Sequence, residues 1–160
     1  MRKLLLLSAC IVVFSGCDET RLYEKNVDFK ERYWLVTEHP TFDFEIADTS
    51  IPYNLFFTIR NESDYPNANI YFTYTLSDSV SSTPLEKKLT NQLLFHEKTG
   101  EPFGSTGLGY VFEHRFPLLE NYTFKNPGKY TMRFEQFMRT DTLKGVLSVG
   151  VRVEKSQNSN

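Results

Sequence analysis

From Arg32 onward the dominant hydrophobic period of the chain is two. Phe42, Phe44 and Ile46 alternate with Asp43, Glu45 and Ala47. Leu55, Phe57 and Ile59 alternate with Asn54, Phe56, Thr58 and Arg60, and Ile70, Phe72, Tyr74 and Leu76 with Tyr71, Thr73 and Thr75. Tyr130, Met132, Phe134 and Gln136 continue the habit, as do Leu147, Val149, Val151 and Val153. Alternation of aromatic and β-branched residues sends one set of side chains inward and the other outward. Turn signals separate the runs: Asp48-Thr49-Ser50, residues 61–67, 77–84 and 99–109, and Asn126-Pro127-Gly128. This pattern predicts an all-β domain over residues 32–154, an antiparallel β-sandwich of Ig-like or jelly-roll-like type with about eight strands. Residues 85–95 (LEKKLTNQLLF) fit two or three turns of helix or an edge strand, and the β context favours the strand. Phe56, Tyr71 and Phe112 fall on outward phases. Either something covers that face or the register is displaced by one residue, which would flip every side chain.

The N-terminus breaks the pattern. Arg2 and Lys3 precede an apolar run from Leu4 to Phe14, and Ser15-Gly16-Cys17 follows. Eleven apolar residues are too few to span a bilayer, which takes about 20. Basic, apolar and small-residue regions in this order read as an exported signal peptide over residues 1–16. An ordinary secretory signal with an incidental Cys17 is the competing reading. An apolar run that stops at Ser-Gly-Cys favours lipidation of Cys17. Leu7-Ser8-Ala9-Cys10 also resembles a lipidation box, but a cut there would leave an apolar region of only four leucines. Residues 17–31 read as a lipidated N-terminus and polar tether, and residues 155–160 as a disordered tail.

Removing residues 1–16 from the 160 leaves 144, a common size for one domain. Arg2 and Lys3 leave with the signal, so 18 basic residues become 16 against 20 acidic, a net charge of −4. A mildly acidic chain without a basic cluster argues against nucleic acid as partner. Cys10 goes with the signal and Cys17 to lipid, leaving no thiol for a disulfide, metal or nucleophile. The domain must be held by its core, for which 14 Phe, 9 Tyr and one Trp supply material.

Candidate chemistry is thin. His39, His96 and His114 lack zinc-ligand spacing. The glycine-rich residues 100–109 lack a phosphate-loop ending and its strand–helix setting. Asp43 and Glu45 share a strand face, but a glycosidase needs two facing carboxylates. No Gly-x-Ser-x-Gly elbow occurs. A hydrolase would need Glu113, His114, Asp43 and Glu45 to converge in one pocket. The reading is therefore non-enzymatic, with no catalytic, cofactor-binding or metal-binding residue. A carbohydrate-binding module is the alternative, with Tyr53, Tyr65, Tyr71, Tyr110 and Tyr122 as candidate platforms. Arg60, Arg139 and Arg152 punctuate strand ends, and at least one is expected to be partly buried beside a carboxylate.

Further words run through the chain in order: Tyr23-Glu24-Lys25-Asn26, Trp34, Phe42-x-Phe-x-Ile-x-Asp48, Tyr53-Asn54-Leu55, Arg60-Asn61 and Tyr65-Pro66-Asn67-Ala68-Asn69. They continue with Gly107-x-Gly109, Glu113-His114, Gly128-Lys129-Tyr130, Glu135-Gln136-x-Met138-Arg139, Leu143, Gly145, Val149-Gly150 and Arg152-x-Glu154. In this order and at this length the chain resembles the GldH family of gliding-motility lipoproteins of the Bacteroidota. The resemblance implies an outer-membrane lipoprotein linked to gliding and to the type IX secretion machinery. Lipid anchoring, a short tether and the lack of a catalytic constellation lead to the expectation of a scaffold among envelope proteins, with the periplasmic side favoured for its anchor over the surface. The family brings no catalytic residues. Asp78-Ser79-Val80 and Asp141-Thr142-Leu143 fit an O-glycosylation triplet used in that phylum, which makes Ser79 and Thr142 candidate acceptors in predicted turns.

Overall fold

Each of the five alternating runs is a strand, and each turns the predicted phase inward. The computed structural model describes residues 19–81, 83–107 and 109–156. The expected signal peptide over residues 1–16, Cys17 and residues 157–160 lie outside them. In chain order the strands are β1 (Arg21–Asp28), β2 (Tyr33–Leu35), β3 (Thr41–Ile46), β4 (Tyr53–Glu62), β5 (Asn69–Asp78) and β6 (Glu86–Leu93). They continue with β7 (Ser105–Thr106), β8 (Val111–Tyr122), β9 (Gly128–Gln136), β10 (Thr142–Lys144) and β11 (Val146–Lys155). One sheet runs β1-β11-β4-β8-β7, the facing sheet β3-β9-β5-β6, and a two-stranded ribbon pairs β10 with β2. Every pairing between named strands is antiparallel.

The two inner faces meet in an aromatic core. Phe57 of β4 stacks on Phe72 of β5 at 4.0 Å and meets Phe134 of β9 edge-on at 5.0 Å. Phe42, Phe44, Ile46, Leu55, Ile59, Met132 and the four valines of β11 add to this core, all buried. Trp34 is fully buried, stacks on Phe29 at 5.7 Å and donates its indole N–H to the Glu38 carbonyl. Buried Trp and Tyr take such partners because an unpaired polar atom would cost stability.

Three expectations need correction. Residues 21–28, read as tether, form edge strand β1 along β11, from Arg21 opposite Glu154 to Asp28 opposite Ser148. Only Tyr23 and Val27 are even half-buried there, so the apolar period of a one-sided edge strand barely registers. Lys155, read as tail, is still in β11. Phe112, read as outward, shares the inner phase of β8 with buried His114 and packs edge-on against Phe95 at 5.5 Å. Phe56 and Tyr71 do face outward, with the Arg115 guanidinium 5.1 Å from the Phe56 ring and Tyr71 exposed. The strand reading of residues 85–95 holds over 86–93. The described residues carry eleven strands rather than about eight, because the extra ones are short or weakly patterned.

Candidate functional site

Strand register places the paired charged side chains on outer faces of the sheets. On the β1-β11-β4-β8 face, Arg152 bridges Glu24, at 2.9 Å, and Glu154, while Arg115 reaches Glu154 at 3.3 Å. Arg21 holds Glu24 from the sheet edge at 3.0 Å. Arg152 is the largely buried arginine anticipated from the sequence, its side chain 11% exposed. Its acid partners come from a neighbouring strand and from two residues along its own. Arg60 instead pairs with Glu113 across β4 and β8 at 2.9 Å, both ends exposed. Removing Arg152 takes away the cation shared by Glu24 and Glu154 and leaves each with only its more exposed partner, Arg21 or Arg115. Arg152→Ala should therefore cost about 2–3 kcal/mol of stability, whereas Arg60→Ala should cost under about 1 kcal/mol. Urea unfolding of both variants checks the contrast.

The residues of the hydrolase hypothesis do not converge. Glu113 is on the outer face with Arg60, and His114 points into the core. Asp43 lies on the outer face of the other sheet, accepting from Thr131 at 2.7 Å. Among the described residues no group of three or more His, Cys, Asp or Glu could hold a metal ion. Of the candidate sugar-stacking tyrosines, Tyr53 and Tyr65 are core residues. Tyr122 is half-buried against Phe124.

His114 is the unusual group. It is 4% exposed, lies parallel to Phe116 at 5.8 Å and meets Phe95 edge-on, and neither ring nitrogen has a hydrogen-bond partner among the described residues. A Cβ on Gly104 would come within 2.6 Å of its Nδ1. Burial pushes its pKa down from 6.5 to about 4. The folded state therefore resists a proton that the unfolded chain accepts. Stability is full above about pH 6.5, falls as pH drops toward 4, and levels off below it. Between pH 7.5 and pH 5 the wild type should lose about 1–2 kcal/mol more than His114→Phe, measured by chemical unfolding at both pH values.

The proposed acceptors stand at opposite ends of the sandwich. Ser79 is exposed just after β5, where Asp78 accepts the N–H groups of Val80 and Ser81. The Ser81 N–H foremost holds the Asp78 carboxyl below its usual range. Thr142 is in β10 opposite Leu35, half-buried, and not in the predicted turn. Cys17 lies outside the described residues. Asp18, Glu19 and Thr20 alone separate it from β1, and the Thr20 carbonyl accepts the Lys155 N–H at 2.8 Å.

An apolar groove of about 530 Å³ opens at the start of β5. Tyr71, Leu89, Phe137, Met138 and Arg139 line it, with Phe137 64% exposed. Sequence reasoning missed Phe137 and Leu89. The available signal was phase: Phe137 follows the last inward residue of β9, Gln136, and so falls outward.

Comparison with known proteins covers this whole body. The family described as GldH lipoprotein matches residues 21–153, from the first strand into the last. A gliding motility lipoprotein GldH homolog of Christiangramia forsetii is 32% identical, over 92% of this chain and 92% of that protein. The gliding motility lipoprotein GldH of Flavobacterium johnsoniae is 27% identical, over 94% of each. Dimeric latent PorU from Porphyromonas gingivalis aligns at a TM-score of 0.27 and 9% identity. That alignment covers 86% of this chain and 13% of that one, too loose a fit to inform the fold.

Proposed function

The chain belongs to the GldH lipoprotein family, and from that membership we propose that it serves gliding motility as a lipid-anchored, non-catalytic scaffold. The family match over residues 21–153 carries the proposal, because it spans the sandwich itself. Cys17 is the acylated residue in this reading. Acyl chains on one cysteine hold a protein at a membrane surface without a spanning helix. Among the described residues no helix is long and apolar enough to cross a membrane. The partners are envelope proteins of the gliding and type IX secretion apparatus, and the anchor sits in the outer membrane. Ser79 and Thr142 are its O-glycosylation candidates. The dispersal of Glu113, His114, Asp43 and Glu45 over different faces supports a binding role over hydrolysis.

Deletion of the gene in a gliding host should abolish colony spreading, and the wild-type gene should restore it. Undiminished spreading of the deletion strain would refute the motility role. Saturable binding of the purified lipoprotein to a cell-wall glycan would favour a carbohydrate-binding module instead.

A further inference from the structure

The groove beside Phe137 is built from beneath. Gln136 is buried, and its Nε2 donates to the Thr140 carbonyl at 2.9 Å while its Oε1 accepts the Met138 N–H at 2.8 Å. The Phe137 N–H donates to the Tyr71 carbonyl at 2.8 Å. The turn that follows β9 is thus fixed to β5, and it holds a phenylalanine out in water. Tyr71 is 40% and Leu89 48% exposed, so three large apolar side chains ring one depression. Exposed apolar surface gathered in one place and rimmed by polar groups marks an interaction site. Arg139 sits at the rim and makes no ion pair among the described residues.

The short tether fixes where the groove points. Three residues from Cys17 to Thr20 reach about 10 Å at full extension. The sandwich is therefore held with its Thr20–Lys155 end toward the anchor. Lys155 pairs with Tyr53, whose ring meets Phe124, and Phe124 packs on Tyr130, which stands opposite Asp78. The C-terminal end of β5 is thus near the anchor, and its start, ten residues back, is about 30 Å farther out. The groove opens at that far end, beyond reach of the lipid surface that holds Cys17. A second copy seated there face to face would bring its own Arg139 against this one.

We propose that this groove is the docking site of the scaffold for an acidic-apolar segment of a partner protein. The segment seats an aliphatic or aromatic side chain among Tyr71, Leu89 and Phe137, and a neighbouring carboxylate pairs with Arg139. The inference rests on the scaffold reading above. Its test is photo-crosslinking in living cells with the full-length lipoprotein, carrying p-benzoylphenylalanine at position 137 or, for comparison, at exposed position 110. The adduct peptide at 137 should come from another protein and place an Asp or Glu within a few residues of the labelled apolar one. Its yield should fall about tenfold in Arg139→Glu and persist in Arg139→Lys. An adduct with a second copy, an adduct with lipid, or a yield indifferent to Arg139→Glu overturns the proposal. Adducts with envelope proteins at 110 but not 137 would refute the groove and leave the scaffold standing. Adducts at neither position would remove both.

Discussion

Replacing Phe57 with alanine should lower the unfolding free energy by about 4 kcal/mol. Its ring joins the two sheets, lying 4.0 Å from that of Phe72 and 5.0 Å from that of Phe134. Phe72 and Phe134 also contact one another at 5.8 Å, so the void left by alanine is walled by rigid rings. Both rings are held in the facing sheet and cannot collapse into the void without moving that sheet. The loss includes transfer of a fully buried ring plus the cavity it leaves. Urea unfolding should show the midpoint shift with little change in slope. A loss below about 1.5 kcal/mol would mean that the sheets close over the gap and that the core is looser than the ring distances imply. Phe57→Leu, which retains most of the apolar bulk, should cost less than half as much.

Gly150→Val should detach β1 from its sheet. Even one added carbon would stand 1.9 Å from the Asn26 Oδ1, 2.6 Å from the Lys25 carbonyl oxygen and 2.6 Å from the Thr58 Oγ1. The Asn26 side chain can rotate, at the loss of the hydrogen bond it accepts from Thr58. The Lys25 carbonyl belongs to the backbone of β1, so it can retreat only if the strand retreats. The expected cost is about 3 kcal/mol or more, as for overpacking against fixed atoms. Hydrogen exchange should report it locally: amides of β1 lose protection while those of β5 and β9 keep theirs. Unchanged protection of β1 would show that the edge absorbs the added bulk. In the proposed reading the consequence reaches function, because β1 would join an acylated Cys17 to the body. Freed from β11, its eight residues would lengthen that tether and loosen the proposed placement of the groove.

The two-residue period was enough to locate the central strands and their inward faces, because β3, β4, β5 and β9 each bury one side fully. It failed where burial is one-sided or local. β1 lies at a sheet edge and is mostly exposed, so its charged residues read as tether although Glu24 pairs with Arg152. Thr142 looked like turn material beside Asp141, yet it pairs with Leu35 in a ribbon that covers Trp34. Phe112 and His114 sit in β8, whose pairing with β4 shifts between Tyr53 and Phe56, so inward phase does not carry along the whole strand. The groove was partly legible. Met138 and Arg139 stood out as family words, but only the turn clamped by Gln136 shows that Phe137 is held outward beside them. That one of Arg60, Arg139 and Arg152 would be buried beside a carboxylate was foreseeable, but the sequence spacings pointed to Glu135 and Glu62 rather than to Glu154. Glu24, 128 residues distant, was not foreseeable.

Labelling cells with a palmitate analogue, followed by intact mass and N-terminal analysis of the purified protein, tests the anchored-scaffold reading most directly. The wild type should incorporate label and begin at an acylated Cys17, while Cys17→Ala should incorporate none and leave the membrane fraction. A native protein free of fatty acid, or one that begins at any other residue, would contradict it.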